Sequence, residues 1–371
     1  MITRRNALTL LGCGAVQLLG RGTTATPSIA QASSQPLRQH AARKGMDFGL
    51  AVIDSQVLGG GRLMKLVARE ADMIVPANAL KWGYIEKQLG RPDYGPAERA
   101  LAFAEKNSLR LRGHAAFWFS NIPPEIRQKL GTKEAPSLFL DHASAIVSRY
   151  RGRIFEWDVL NEAIFPQDGA PGDLRRAPFG LMDYGYYAEL FSAVHQADPA
   201  ARLYYNDFKL EGDSPGDERR RKATLQLLEE LLKRNAPVHG LGSQSHLALH
   251  LPFQPAPFRA FLSDVAAMGL EIRITEFDVS DSKSKVTDIG ERDRQIAARA
   301  KIFLDTAFDE RAVKGLLCWG VNDGDSFYNQ AYCKCGRADG KPMRPLPFDD
   351  HLQRKPLWNA IAAAFDGAPA R

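Results

Sequence analysis

Between residues 47 and 321 the chain alternates eight times between a short apolar run and a longer, more polar stretch. The runs occupy residues 47–53, 73–78, 110–118, 154–162, 201–207, 240–247, 271–278 and 315–321. Each is strand-sized, rich in β-branched or aromatic residues, and bounded by turn formers. Between them, residues 96–109, 137–150, 218–234 and 294–308 place apolar side chains at helical period. A strand that is apolar on both faces needs a helical crossover to cover it, so eight β-then-α units predict a single closed (β/α)8 barrel of the α/β class. An open doubly wound sheet would call for a glycine-rich phosphate loop after the first strand. Residues 54–62, DSQVLGGGR, do not have that spacing.

The first 45 residues stand outside this pattern. Arg4-Arg5 precedes an apolar run, and Ala30-Gln31-Ala32 has the form of a cleavage site. That arrangement predicts a twin-arginine export signal over residues 1–32, a linker over 33–45 and a catalytic barrel over 46–371, in a periplasmic or secreted protein. Leu10-Leu11-Gly12-Cys13 also offers a lipid-attachment box, but its preceding apolar run is very short. Removing residues 1–32 lowers the formal charge from +6 to +3, with 46 basic against 43 acidic residues. No concentrated basic face results, so nucleic acid is not an expected partner. Arg219-Arg220-Arg221-Lys222 reads as the solvated face of a helix. No apolar stretch is long enough to span a membrane. Cys318, Cys333 and Cys335 do not make a zinc set, no cofactor motif is present, and the pairing of Cys333 with Cys335 is left open.

A barrel carries its function on the C-terminal rim of its strands. Reading off those ends gives Asn78 and Lys81, His114 and Trp118, Asn161 and Glu162, Tyr205 and Asn206, Gln244 and His246, Glu276, and Trp319. Tryptophan faces stack on sugar rings, while amides, imidazoles and acids bind hydroxyls. Glu162 and Glu276 supply what glycosidic cleavage needs: an acid for the leaving oxygen and a second carboxylate across the anomeric carbon. One pair then serves both half-reactions. Once the second carboxylate is consumed in a covalent intermediate its charge is gone, and the spent acid becomes a base towards water.

These motifs resemble glycoside hydrolase family 10, the retaining endo-β-1,4-xylanases, over nearly the whole chain after residue 45. WDVLNE (157–162) is similar to that family's WDVVNE, and ITEFD (274–278) to ITELD. GHAAFW (113–118), LYYND (203–207), GLGSQSHL (240–247), WGVNDGDS (319–326) and NALKW (78–82) also resemble family motifs, in the same order. The resemblance implies a (β/α)8 barrel acting without cofactor or metal on xylan or a related β-glycan, as a monomer. It implies Glu162 as acid/base and Glu276 as nucleophile. Asn161 would then bind the sugar 2-OH, His246 would orient Glu276, and His114 and Lys81 would reach hydroxyls of the sugar being cleaved. Trp118 and Trp319 would wall that subsite, Asn78 would lie further towards the non-reducing side, and Gln244 would sit beside the nucleophile. Tyr205 and Asn206 complete the implied substrate-binding set.

The chain departs from the pattern at Ala77 and Ala79, where the family has Glu. It departs again at Phe119, Ser120 and Asn121, where WHSQ is usual, and at Phe327 in place of Trp. Ala77, Asn121 and Phe327 map to the subsite next to the catalytic one on the glycone side. A different or decorated β-glycan, such as a bacterial exopolysaccharide, is therefore a second expectation. A binding protein that has lost catalysis is a third, against which the intact Glu162, Glu276, Asn161 and His246 stand.

Overall fold

The computed structural model describes residues 35–176, 182–331, 333 and 335–371; the expected export signal lies outside them. Nine strands form: β1 (Asp47–Val52), β2 (Met73–Pro76), β3 (Arg110–Trp118), β4 (Glu156–Asn161), β5 (Arg202–Asp207), β6 (Gly240–Ser243), β7 (His246–Ala248), β8 (Glu271–Ser280) and β9 (Val313–Cys318). All their pairings are parallel. The order β6-β5-β4-β3-β2-β1-β9-β8 closes through a β6–β8 pairing, while β7 only extends the outer end of β8. Eight strands thus make the barrel. A helix follows each in turn: 61–70, 95–106, 135–149, 184–197, 215–233, 255–267, 289–308 and 356–367.

The expected run over 240–247 divides in two because Ser245 takes φ 60°, which ends β6 and lets the chain restart as β7. Residues 33–45, expected as a linker, belong largely to the folded unit, which begins at Gln35. Leu37–Ala42 form a helix with Leu37 and Ala41 fully buried. Its His40 lies 2.9 Å from Asp366 on the last helix, and the Leu37 amide donates to Glu70 at 3.0 Å. Leu37 and Ala41, four residues apart, give the helix the apolar stripe that docks it.

The strands are buried on both faces, as parallel strands under helices must be. Outward residues such as Trp157 and Val159 join the core with helix residues such as Leu227, Leu228 and Leu231, each fully buried. Burial of one such side chain stabilises the fold by about 1.5–3 kcal/mol. Inward residues at the N-terminal end of the barrel are charged. Arg112 pairs with Glu156 and Asp158, while Arg273 lies 2.9 Å from Glu156 and 3.2 Å from Asp47. Since β4 and β8 are not neighbours, Glu156 and Arg273 can meet only through the barrel interior.

The basic run over 219–222 is not wholly solvated. Arg220 and Arg221 are buried, and Arg220 donates to the Ile164 carbonyl (2.6 Å) and to Asp207 (3.1 Å). Its helix opens on a Ser214/Asp217 capping box. Cys333 and Cys335 are joined by a disulfide. Among the described residues no helix is long and apolar enough to cross a membrane.

Candidate active site

The strand ends on one side of the barrel are stitched together by backbone hydrogen bonds that run past the formal strand limits. The Glu162 amide donates to Asn206 O (2.8 Å), Gln244 to Asp207 O (2.9 Å) and Glu276 to Gln244 O (3.0 Å). These bonds bring the rim residues of β4, β5, β6 and β8 side by side. Glu162 follows β4 directly in a left-handed conformation, φ 60°. For a non-glycine residue that costs energy and persists only where the surroundings enforce it. Here both backbone groups are held, since the Glu162 carbonyl accepts from Arg175 Nε at 2.8 Å. Arg175 is itself clamped between Phe119 (3.7 Å to the ring centre) and Phe165 (4.4 Å). The unusual Phe119 is therefore one wall of an arginine seat.

Asn206 is the hub. Its amide nitrogen donates to Glu276 Oε1 and to Asn161 Oδ1, both at 2.8 Å, and its oxygen accepts from Thr275 at 2.6 Å. Asn161 donates to Glu162 at 3.2 Å and Gln244 donates to the same oxygen at 3.0 Å. One hydrogen-bonded chain thus runs from Glu162 to Glu276. Asn206 can sit there because Gly242 faces it: a Cβ on Gly242 would lie 2.3 Å from Asn206 Oδ1.

Glu276 was expected to close its strand, but β8 continues past it to Ser280, so its carboxylate emerges from the barrel wall, 5% exposed. Burial alone would raise its pKa. The hydrogen bond from His246 and the charges of His114, His246 and Lys81 outweigh burial and bring it down to about 2. His246 lies between two carboxylates, Nε2 3.3 Å from Glu276 and Nδ1 2.9 Å from Asp278. Both nitrogens can donate only in the imidazolium form. Burial opposes that charge, but Asp278 and Glu276 overcome it and hold the imidazole pKa well above its ordinary value. Asp278 also accepts from Tyr328 at 3.1 Å.

His114 turns Nδ1 to Asp158 at 2.9 Å. Lys81 donates to Asn78 at 3.3 Å and stands 4.6 Å from the Trp118 ring centre and 5.9 Å from that of Trp319. Burial lowers the Lys81 pKa, partly offset by Glu276 and Glu162. Both tryptophans are part-exposed, and the Lys81 ammonium lies over each ring.

Two residues of the expected substrate-binding set do not face a ligand. Tyr205 is fully buried, with its hydroxyl on Asp207, and Asn206 is fully buried between Asn161, Glu276 and Thr275. They brace the rim from within. Of the others, Asn161 and Gln244 bond Glu162, His246 bonds Glu276, His114 lies 4.0 Å from Glu276, and Asn78, Trp118 and Trp319 gather around Lys81. Sequence reading missed Asp158, Asp278 and Arg175 as orienting groups. The period-two spacing of Asp278 from Glu276, and of Asp158 from Glu156, was a usable signal. Nothing local marks Arg175.

A barrel whose rim joins two glutamates through amides, flanked by imidazoles, a lysine and two tryptophans, is built as a glycoside hydrolase. The chain belongs to glycosyl hydrolase family 10, whose model matches residues 36–364. A β-1,4-xylanase of Dictyoglomus thermophilum is 30% identical over 306 residues, 80% of this chain and 83% of its own length. Endo-1,4-β-xylanase 2 of Claviceps purpurea is 28% identical over 351 residues, covering 94% and 98% of the two chains. Among solved structures, native xylanase 10B from Thermotoga maritima superposes with a TM-score of 0.78 at 28% identity, over 89% of this chain and 98% of that one. Xylanase 10B from Thermotoga petrophila in complex with xylobiose gives the same score at 27% identity, over 91% and 98%.

Proposed function

We propose that this protein is an exported, monomeric, retaining endo-1,4-β-xylanase in which Glu276 is the nucleophile and Glu162 the acid/base. The observation that carries the mechanism is the hydrogen-bonded chain joining an ionised Glu276 to Glu162 through Asn206, Asn161 and Gln244. The xylanase names of its relatives support the substrate. The Arg4-Arg5 leader supports export.

In the first step Glu276 attacks the anomeric carbon while Glu162 delivers its proton to the glycosidic oxygen, and the aglycone departs. In the second, Glu162 takes a proton from water, which displaces Glu276 and restores the β configuration. The lowered pKa of Glu276 favours the ionised nucleophile, and the imidazolium of His246 holds its second oxygen in place. In this reading Asn161 and Lys81 would bind hydroxyls of the ring under attack.

The test is Glu276→Ala with an activated aryl β-xyloside and azide. Azide fits the vacated space and should give the α-xylosyl azide. Absence of that product from a folded variant would remove Glu276 from the nucleophile role.

A further inference from the structure

The groups that hold Glu276 do not end at Asp278. β7 lies along the outer end of β8 in the register that sets His246 against Asp278, whose side chain is 1% exposed. The two oxygens of that carboxylate are divided between two partners. Oδ2 faces His246 Nδ1 at 2.9 Å, and Oδ1 accepts from the Tyr328 hydroxyl at 3.1 Å. Tyr328 stands 50 residues further along the chain, in the loop after β9. That loop is pinned. The Tyr328 amide donates to Ser326 Oγ at 3.3 Å. Asn329 donates to the carbonyls of Asp323 (2.8 Å) and Met343 (2.9 Å) and accepts from the Met343 amide (2.8 Å). Phe327, where the family pattern has Trp, packs against both ends of the connection. Its ring centre lies 4.0 Å from that of Tyr328 and 5.8 Å from that of His246, with its plane turned 71° from the imidazole. The phenol therefore reaches Asp278 from a fixed direction.

A buried carboxylate with one donor on each oxygen depends on both. Burial raises the Asp278 pKa, while the charge and bond of His246 and the bond from Tyr328 work against burial. Tyr328 serves there as a donor, because burial, Asp278 and the nearby Glu211 hold its phenol pKa above the ordinary value. Without the hydroxyl, Oδ1 has no donor among the described residues. Asp278 can then turn away, or take the Nδ1 proton of His246. The first change releases the imidazole ring, and the second removes its charge. Either one loosens the hold on Glu276 Oε2, which rests on both ring nitrogens donating. Resting on the glycosidase reading above, we propose that Tyr328 is a positioning residue for the nucleophile: its hydroxyl fixes Asp278, Asp278 fixes His246, and His246 fixes Glu276.

The test is Tyr328→Phe, which removes one oxygen and keeps the ring against Phe327. It is read with a 2-deoxy-2-fluoro β-xyloside inactivator, well below the melting temperature of each variant. The first-order rate constant of inactivation reports attack by Glu276, and the inactivator's dissociation constant reports binding. The rate constant should fall about tenfold, as expected for one hydrogen bond to a charged group, with the dissociation constant within about twofold of wild type. Aryl β-xylosides should lose the same factor in kcat/KM whatever the leaving group, since the nucleophile and not the acid is disturbed. In an Asp278→Asn background, where the carboxylate is already gone, adding Tyr328→Phe should cost less than about threefold. An inactivation rate constant equal to that of wild type, or a loss undiminished in the Asp278→Asn background, overturns the positioning role and leaves the glycosidase reading standing. A wild-type protein that neither hydrolyses aryl β-xylosides nor is labelled by the inactivator overturns both.

Discussion

Arg175 touches no reacting atom in this account, yet its loss should look like a loss of acid catalysis. Its Nε bond to the Glu162 carbonyl, 2.8 Å long, is one of two that hold Glu162 at φ 60°. A hydrogen bond from a charged donor contributes about 1.5–3 kcal/mol, comparable with the cost of a non-glycine residue in that region. In Arg175→Met the remaining amide bond to Asn206 must carry the strain alone, and Glu162 should leave its working position for much of the time. If the whole interaction is expressed in the transition state, kcat/KM falls roughly 10- to 150-fold. The fall should depend on the leaving group. Aryl β-xylosides with good leaving groups need little protonation and should lose only a few-fold, whereas xylo-oligosaccharides should lose the full amount. Glu162→Ala sets the limit of the same pattern. Kinetics across a series of aryl leaving groups, with thermal melting to confirm folding, checks this. A uniform loss across the series would mean that Arg175 acts only on stability, and the positioning argument would be wrong.

Three other variants probe the scaffold. Burial raises Glu211 from 4.5 to about 7, so its protonated form favours the folded state below about pH 4.5 and that contribution is lost as pH rises through 7. Glu211→Gln should therefore melt like wild type at pH 4 and several degrees higher at pH 8, with about 3 kcal/mol as the upper limit; a pH-independent difference would contradict this. Gly242→Ala drives a methyl to 2.3 Å from Asn206 Oδ1 and 2.9 Å from Thr275 Cγ2. It should cost about 1–3 kcal/mol in denaturant titrations and at least tenfold in kcat/KM, the latter because Asn206 bonds Glu276; unchanged kinetics would remove Asn206 as the hub. Arg112→Leu leaves Glu156 and Asp158 without their shared cation inside the barrel and should destabilise by about 3–5 kcal/mol; a loss under 1 kcal/mol in urea unfolding would show that the barrel interior is well hydrated.

The barrel was legible because its strands are buried on both faces, so each announces itself as an apolar run in sequence, and the helices between repeat at their own period. The two glutamates were legible because a carboxylate at the end of such a run is chemically out of place. What could not be read is mostly what depends on a backbone angle or on a contact across the barrel. Glu162 and Ser245 adopt φ near 60° with no glycine or asparagine to signal it. Ser245 therefore broke a strand that looked continuous. Arg175 comes from a loop 13 residues downstream, where an arginine has many possible partners. Tyr205 and Asn206 stand in a rim motif, and only the closed barrel reveals that they are sealed behind the residues they support. Arg220 and Arg221 mislead in the same way, since a basic run looks solvated until a buried carbonyl and Asp207 come within reach.

The central claim, that a bond forms between substrate and Glu276, is tested most directly by trapping. A 2-deoxy-2-fluoro β-xyloside with an activated leaving group slows both steps by destabilising an oxocarbenium-like transition state, and the second step lacks a good leaving group, so the intermediate accumulates. Intact mass should rise by one fluoroxylosyl unit as activity is lost, and peptide fragmentation should place the label on Glu276, with none on the Glu276→Ala protein. A label on any other carboxylate, or a product formed with inverted configuration and no label at all, would contradict the account.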